Sequence, residues 1–276
     1  MAHPRLSLNQ WTTRRWSLTD AIDGCARHGI GGIGVWREKL AEVPAAEARS
    51  RLDDAGLTVT SLCRGGFLSD APTHAAALDD NRRALDEAVS IGADLLVLVM
   101  GGLPAGSNDL AGARTAARDG LAALVPYAFD AGVRLALEPL HPMYAADRCV
   151  LSTLRQALEW AQPFAPSTVG VCVDTFHVWW DPDVDQAIAE VASADRLATF
   201  QVCDFLVPLP ADVLLGRGYM GDGVIDFETL TRFVAATGFD GFVEVEIFNA
   251  DVWADDPDTV CAMVCERFDR LVAPFL

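Results

Sequence analysis

Lysine is nearly missing from this chain: Lys39 is the only one, among 21 basic residues set against 39 acidic ones. Schiff-base chemistry is left with that single candidate, which lies just past a strand end. A net charge of −18 without any basic run argues against a nucleic-acid partner, because such a surface repels a phosphate backbone. Arg14–Arg15 and Arg82–Arg83 are isolated pairs suited to solvated helix faces, and no lysine or arginine cluster supports a phosphate on a substrate. No apolar stretch is long and uncharged enough to span a membrane. The first residues, MAHPRLSLNQW, lack the apolar core of a signal peptide, so a cytoplasmic location is expected. The seven cysteines are odd in number and scattered. Only Cys261 and Cys265 are close, at the spacing of one helix face, and core filling is the expected role. Histidine is sparse as well: there are five, and only His141 and His177 fall near predicted strand ends.

What is present is hydrophobic, 51% of the chain, enough for a large core. A unit recurs along it: helix, glycine, apolar strand, polar turn. HGI, AGL, IGA, AGV and TGF each put a glycine where a helix must end in a left-handed residue before the next strand. Helices are predicted from Ser17 to Gly29 and over 44–55, 75–91, 110–131, 151–161, 184–194, 227–237 and about 257–271. The strands between them are LSLN, GGIGVW, LTVTSLC, DLLVLVM, VRLAL, VGVCVD, LATFQVC and FVEVEIF. Eight βα units with no low-complexity linker predict an α/β fold, a single (β/α)8 TIM barrel forming one domain over 1–276. A doubly wound open sheet is the alternative, but its phosphate-binding glycines are absent from LSLNQWTTRR after the first strand.

Barrel chemistry sits at the C-terminal ends of the strands. Strand five alternates Arg134, Ala136 and Glu138 against Leu135 and Leu137, and strand six ends at Asp174. Strand seven sets Thr199, Gln201 and Cys203 on one face, and strand eight sets Glu244 and Glu246 on one face. Glu138, Asp174, Gln201 and Glu246 would thus reach one end of the barrel axis. Any one of these acids alone also fits a structural pair. Together, the three carboxylates repel unless they share protons or hold a cation, and an all-oxygen set favours a hard ion such as Mn²⁺ or Mg²⁺ over Zn²⁺.

ALEPL around Glu138, VDTFH around Asp174 and His177, RGYMGDGVIDF around Arg217, and VEIF at Glu246 carry a resemblance over nearly the whole chain. The sequence resembles the sugar phosphate isomerase/epimerase group of TIM barrels, the xylose isomerase-like superfamily that includes ketose 3-epimerases. That resemblance implies a divalent metal, Mn²⁺ first with Mg²⁺ or Co²⁺ as substitutes, held by Glu138, Asp174 and Glu246. It also implies that Glu138 and Glu246 handle the proton and that His177 and Arg217 contact substrate. The family usually supplies a histidine where this chain has Gln201, whose amide oxygen can still ligate. The superfamily also contains apurinic endonucleases that hold three zinc ions with many histidines; five histidines and an acidic surface exclude that activity here.

The expected function is therefore a metal-dependent isomerase or epimerase that takes a proton from a keto sugar and forms an enediolate. Trp36, Trp179, Trp180 and Phe67 lie just past strands and are candidate apolar walls for a ring, or loop packing. Arg217 would hold substrate hydroxyls, or pair with Asp222. His141 is either a loop histidine or a general base. In the latter role it would fit related barrels that cleave C-glycosides of 3-keto sugars with a small second subunit, so that lyase is the alternative. A non-catalytic sugar-binding barrel that has lost its metal is the second alternative, with Gln201 as its support. The expected partner is a small carbohydrate; a homo-oligomer or a small second subunit is left open.

Overall fold

The computed structural model describes residues 2–276. Ten strands form in chain order: β1 (His3–Asn9), β2 (Ile30–Trp36), β3 (Thr58–Gly66), β4 (Leu95–Val99), β5 (Arg134–Leu137), β6 (Val169–Asp174), β7 (Leu197–Val202), β8 (Asp204–Phe205), β9 (Arg217–Gly218) and β10 (Val243–Val245). Eight of them close a barrel in the order β1-β10-β7-β6-β5-β4-β3-β2. Every barrel pairing is parallel. β8 and β9 form a separate antiparallel pair that no sequence periodicity announced.

The local causes are those read from the sequence. Gly29, Gly56, Gly92, Gly132 and Gly238 all take positive φ, between 65° and 82°, and end helices where a side chain would be strained. Ser17 and Asp20 form a reciprocal capping box at the start of helix Leu18–His28. Asp109, Thr153, Asp226 and Asp256 cap the helices that follow them with a side-chain oxygen. The helix expected from 151 begins only at Leu154, because Thr153 is extended and its hydroxyl accepts from Gln156 N–H. The last barrel strand is shorter than FVEVEIF, ending at Val245.

Strand residues that point outward, such as Leu135, Leu137, Val171 and Val173, join the main core with the helices. The opposite set points into the barrel. Leu95, Ala136 and Cys172 make one small inward cluster, and Trp36, Cys63, Val97 and Phe248 make another. All seven cysteines are free and buried, as core filling requires. No helix among the described residues is long and apolar enough to cross a membrane.

Candidate active site

Three strands deliver an acid to the same rim. Glu138 follows β5 directly, and its N–H continues the ladder to Leu98 O at 3.1 Å. Asp174 is the last residue of β6, and its Oδ1 accepts from Phe176 N–H at 2.9 Å, which caps the one-turn helix Thr175–Val178. Glu246 follows β10, with its N–H on Val202 O at 3.3 Å. All three side chains are buried.

The countercharge arrives on a loop. Asp204 accepts the backbone N–H groups of Phe205, Gly221, Gly223 and Ile225 at 2.8–3.0 Å, folding the glycine-rich segment around one carboxylate. At Gly223 a Cβ would stand 2.1 Å from Phe205 O, so only glycine fits that turn. The β8–β9 pairing sets Phe205 opposite Arg217, and Asn249 Nδ2 donates to Arg217 O at 2.8 Å. Arg217 is thereby aimed into the barrel mouth. Its Nη1 donates to Asp174 Oδ2 at 2.8 Å and to Glu246 Oε2 at 3.1 Å. The rings of Phe176 and Phe248 lie 4.7 and 5.1 Å from its guanidinium carbon. Asp222, the alternative partner, pairs with Arg267 at 2.9 Å instead.

His177 completes the cluster. Its Nδ1 accepts the backbone N–H of His141 at 3.0 Å, and a backbone N–H can only donate. Burial, with the nearby Arg217 charge, pushes the imidazole pKa well below its ordinary value, so the ring is neutral; its other nitrogen, Nε2, faces the acids. That nitrogen lies 3.6 Å from Glu138 Oε1 and 3.8 Å from Asp174 Oδ2. Ligand atoms of Glu138, Asp174 and His177 come within 4.8 Å of one another. Arg217 Nη2 lies 3.0 Å from Nε2 and aims a second N–H donor at the ring, whose single lone pair in the neutral form accepts only one of the two.

Burial dominates the acid strengths. Glu138 is pushed well above the usual carboxyl range, first by burial and then by the charges of Glu246 and Asp174. Glu246 is raised to about 8 by burial, with Arg217 opposing the rise. Asp174 is raised by burial, again opposed by Arg217. Oε1 of Glu138 is buried with no hydrogen-bond partner.

Glu138, Glu246, His177 and Arg217 line a pocket of about 460 Å³, and Asp174 lies behind them, outside the lining. Trp11 stacks on Trp36 with centroids 4.5 Å apart, and Phe248 and Trp253 continue that wall. Of the aromatic residues predicted, Trp36 and Phe67 line the pocket. Trp179 and Trp180 do not: Trp179 packs on Phe205 at 5.0 Å, and Trp180 donates its indole N–H to His177 O at 2.7 Å. His141 is also outside the lining, its ring against Trp180 and Phe205 at 5.7 and 5.6 Å. Its Nδ1 accepts from Met143 N–H at 3.2 Å, and burial lowers its pKa. Lys39 pairs with Glu42 at 3.0 Å, and it does not line the pocket.

Gln201 lies on β7 between two neighbours, in register with Asp174 and with Glu244. Its Nε2 donates to Glu244 Oε1 at 3.0 Å, and its Oε1 accepts from the Cys172 thiol at 3.3 Å. The amide is therefore occupied at both ends.

The lining also includes Trp11, Tyr144, Trp253, Arg14, Arg64 and Arg148, none of which the sequence reading named as site residues. Arg64 had a usable signal, since it directly follows the predicted strand LTVTSLC. The others come from loops, whose course carries no periodicity. Three arginines isolated in sequence thus meet at one mouth, where no basic cluster was expected.

Fold and site together define a (β/α)8 barrel with an acidic, aromatic-walled pocket at the C-terminal strand ends. Residues 22–263 match the xylose isomerase-like TIM barrel family, and the chain belongs to that family. Protein SMc04130 from Sinorhizobium meliloti 1021 has a crystal structure that superposes with a TM-score of 0.93 at 47% identity, covering 97% of this chain and 98% of that one. The ketose 3-epimerase of Arthrobacter globiformis is 30% identical over 130 residues, which cover 47% of this chain and only 40% of that protein. A crystal structure of the IOLI protein with a bound zinc atom superposes with a TM-score of 0.85 and 99% of each chain covered, but at 19% identity the likeness is one of fold.

Proposed function

We propose that this protein is a divalent-metal-dependent isomerase or epimerase acting on a keto sugar by proton transfer beside the carbonyl. The observation that carries this reading is that Glu138 and Glu246, both buried side chains from separate strand ends, line one pocket together. A positioned carboxylate is a competent base, and once protonated a competent acid. One of the pair would take the proton from the carbon next to the carbonyl. Return of a proton to the other face of that carbon inverts it, and return to the neighbouring carbon isomerises the sugar. Arg217 would donate to the substrate oxygens on which negative charge develops, with His177 beside it. Trp36 and Phe248 would exclude water from the ring.

The donor set fits a divalent ion. Three buried carboxyl groups converge, and an unpartnered Glu138 oxygen is among them. Glu138, Asp174 and Glu246 would hold the ion, and His177 Nε2 would face substrate. Gln201 could join as a fourth ligand only by leaving Glu244 and Cys172. When bound, the ion would supply Lewis-acid polarisation of the carbonyl, and a carboxylate-rich set suits Mn²⁺, with Mg²⁺ or Co²⁺ as substitutes. The IOLI protein carries zinc on the same fold. His141 stands outside the pocket lining, so the carboxylate pair is preferred to it as the base, and an epimerase to a C-glycoside lyase. Seven free cysteines suit a reducing compartment such as the cytoplasm.

Protein purified without added metal should contain one divalent ion per chain by elemental analysis. A panel of ketoses in deuterated water should show exchange at the carbon beside the carbonyl, lost in strong chelator and restored by Mn²⁺. Full exchange in chelator, on a chain free of metal, would overturn the metal dependence.

A further inference from the structure

Arg14 and Arg64 differ from every other arginine of the chain: among the described residues, their side chains make no hydrogen bond and no ion pair within 4.0 Å. Both line the pocket of the candidate active site. Arg14 is exposed and spread over Trp11 and Trp253, with its guanidinium carbon 4.9 and 4.7 Å from the ring centroids. Arg64 is half-buried, one residue past Cys63, with its guanidinium carbon 4.2 Å from the Phe67 centroid. A guanidinium partly removed from water without a partner is costly to keep unless something in the pocket uses it.

The backbone that carries Arg64 is fixed in advance. Asn81 Oδ1 accepts from Gly66 N–H at 2.6 Å, and Asn81 Nδ2 donates to Gly66 O at 2.8 Å. Phe67, whose ring Arg64 covers, takes a positive φ of 57°, a strained conformation for a bulky residue. Arg148 adds a third guanidinium to the lining, only loosely paired with Asp147 at 3.6 Å. The acids of the same wall do not neutralise Arg64. Glu38 and Asp212 line the pocket too, yet neither reaches ion-pair distance of it, and Asp212 accepts from Leu214 N–H at 3.1 Å. In a chain of net charge −18, an anionic ligand is repelled nearly everywhere, so a cluster of under-used arginines at one mouth marks where such a ligand is tolerated.

We infer that the substrate is an acidic keto sugar, with Arg64 binding its oxyanion, a carboxylate or a phosphate, in the pocket that the proton-transfer carboxylates also line. The planar guanidinium suits a two-oxygen group better than it suits a lone hydroxyl. Arg64 is thus a specificity-determining residue, with Arg14 and Arg148 adding positive potential at the rim. The inference rests on the keto-sugar reading above.

The test is calorimetric titration of the Mn²⁺-supplemented protein with D-fructose, D-fructuronate and D-fructose 6-phosphate. At least one acidic sugar should bind tenfold or more tightly than fructose, and which one does so separates a carboxylate from a phosphate. In Arg64→Gln that ratio should fall to within about twofold, and Arg64→Lys should keep part of it. Wild-type protein with no preference for either acidic sugar would overturn the assignment, as would a preference that survives Arg64→Gln. Failure of the keto-sugar reading itself looks different: acidic sugars bind through Arg64, but no ketose exchanges its proton with solvent.

Discussion

The Gln201 amide donates to Glu244 Oε1 at 3.0 Å, below the rim where Glu246 meets Arg217. Glu244 also accepts from Asn9 Nδ2 at 2.7 Å and from the hydroxyls of Thr60 and Ser61 at 2.8 Å each. Two acids spaced two residues apart on one strand therefore do different work. Glu244 ties β1, β3, β7 and β10 together inside the barrel, and Glu246 faces the pocket.

Glu244→Gln turns an amide N–H₂ toward groups that are themselves donors. It should destabilise the protein by about 2–4 kcal/mol, because buried donors lose their acceptor. Glu246→Gln should cost less than about 1.5 kcal/mol, since it changes neither shape nor a wide hydrogen-bond network. Urea unfolding of the two variants measures the difference. Equal stability losses would show that the roles of the two acids have been wrongly divided. Gly34→Ala gives an independent check, since a Cβ there would stand 2.6 Å from Glu244 Oε1.

Arg217 is the only side chain bonded to both Asp174 and Glu246 among the described residues. Arg217→Met should leave buried carboxyl groups without their cation and cost about 3–5 kcal/mol. Mn²⁺ should then raise the melting temperature of the variant more than that of the wild type, because the ion replaces the lost charge. A variant indifferent to Mn²⁺ would argue that the carboxylates do not bind it.

Arg37 follows the Trp36 wall directly and is gripped by Asp80 at 2.8 Å and Glu87 at 2.6 Å. The Arg37 hydrogen bond and charge hold the Asp80 pKa below its ordinary value. An acid depressed by folding adds stability above its unfolded pKa, about 3.9, and loses it as pH falls through the lower folded value. The Asp80 side chain is 46% exposed, so solvent screens the pair and Asp80→Asn should cost only about 0.5–1 kcal/mol at pH 7. The gap from wild type should shrink on acidification below pH about 4. A gap that stays constant from pH 7 to 3 would remove the ion pair as its cause.

Burial raises the Cys25 thiol to about 12 and those of Cys149 and Cys265 to about 11. Native protein should therefore release almost no thionitrobenzoate from Ellman's reagent over minutes at pH 8, whereas unfolded protein should show all seven thiols. One fast-reacting thiol in the native state would identify a cysteine with a role beyond packing.

Much of this architecture was legible beforehand because it follows from short-range rules. Gly29, Gly56, Gly92, Gly132 and Gly238 sit where a left-handed residue is needed, and period-two alternation fixes which side of β5, β6 and β10 faces inward. Those two facts bring Glu138, Asp174 and Glu246 to one rim. Residues set by the path of a loop were not legible. The partner of Arg217 depends on the β8–β9 pairing and on Asp204 gathering backbone N–H groups, and neither leaves a periodic trace. Trp179 follows the same strand end as His177, yet the one-turn helix after Asp174 turns it back onto Phe205. The occupied amide of Gln201 was hidden for a different reason: its partner Glu244 comes from a strand 43 residues away.

Solvent deuterium exchange at the carbon beside a ketose carbonyl, followed by proton NMR in the Glu246→Gln variant with Mn²⁺ present, tests the proton-transfer role most directly. If Glu246 moves the proton, the variant should keep its fold and its metal while exchange falls by about 10²–10⁴-fold. Exchange at the wild-type rate in a folded, metal-loaded Glu246→Gln protein would contradict it.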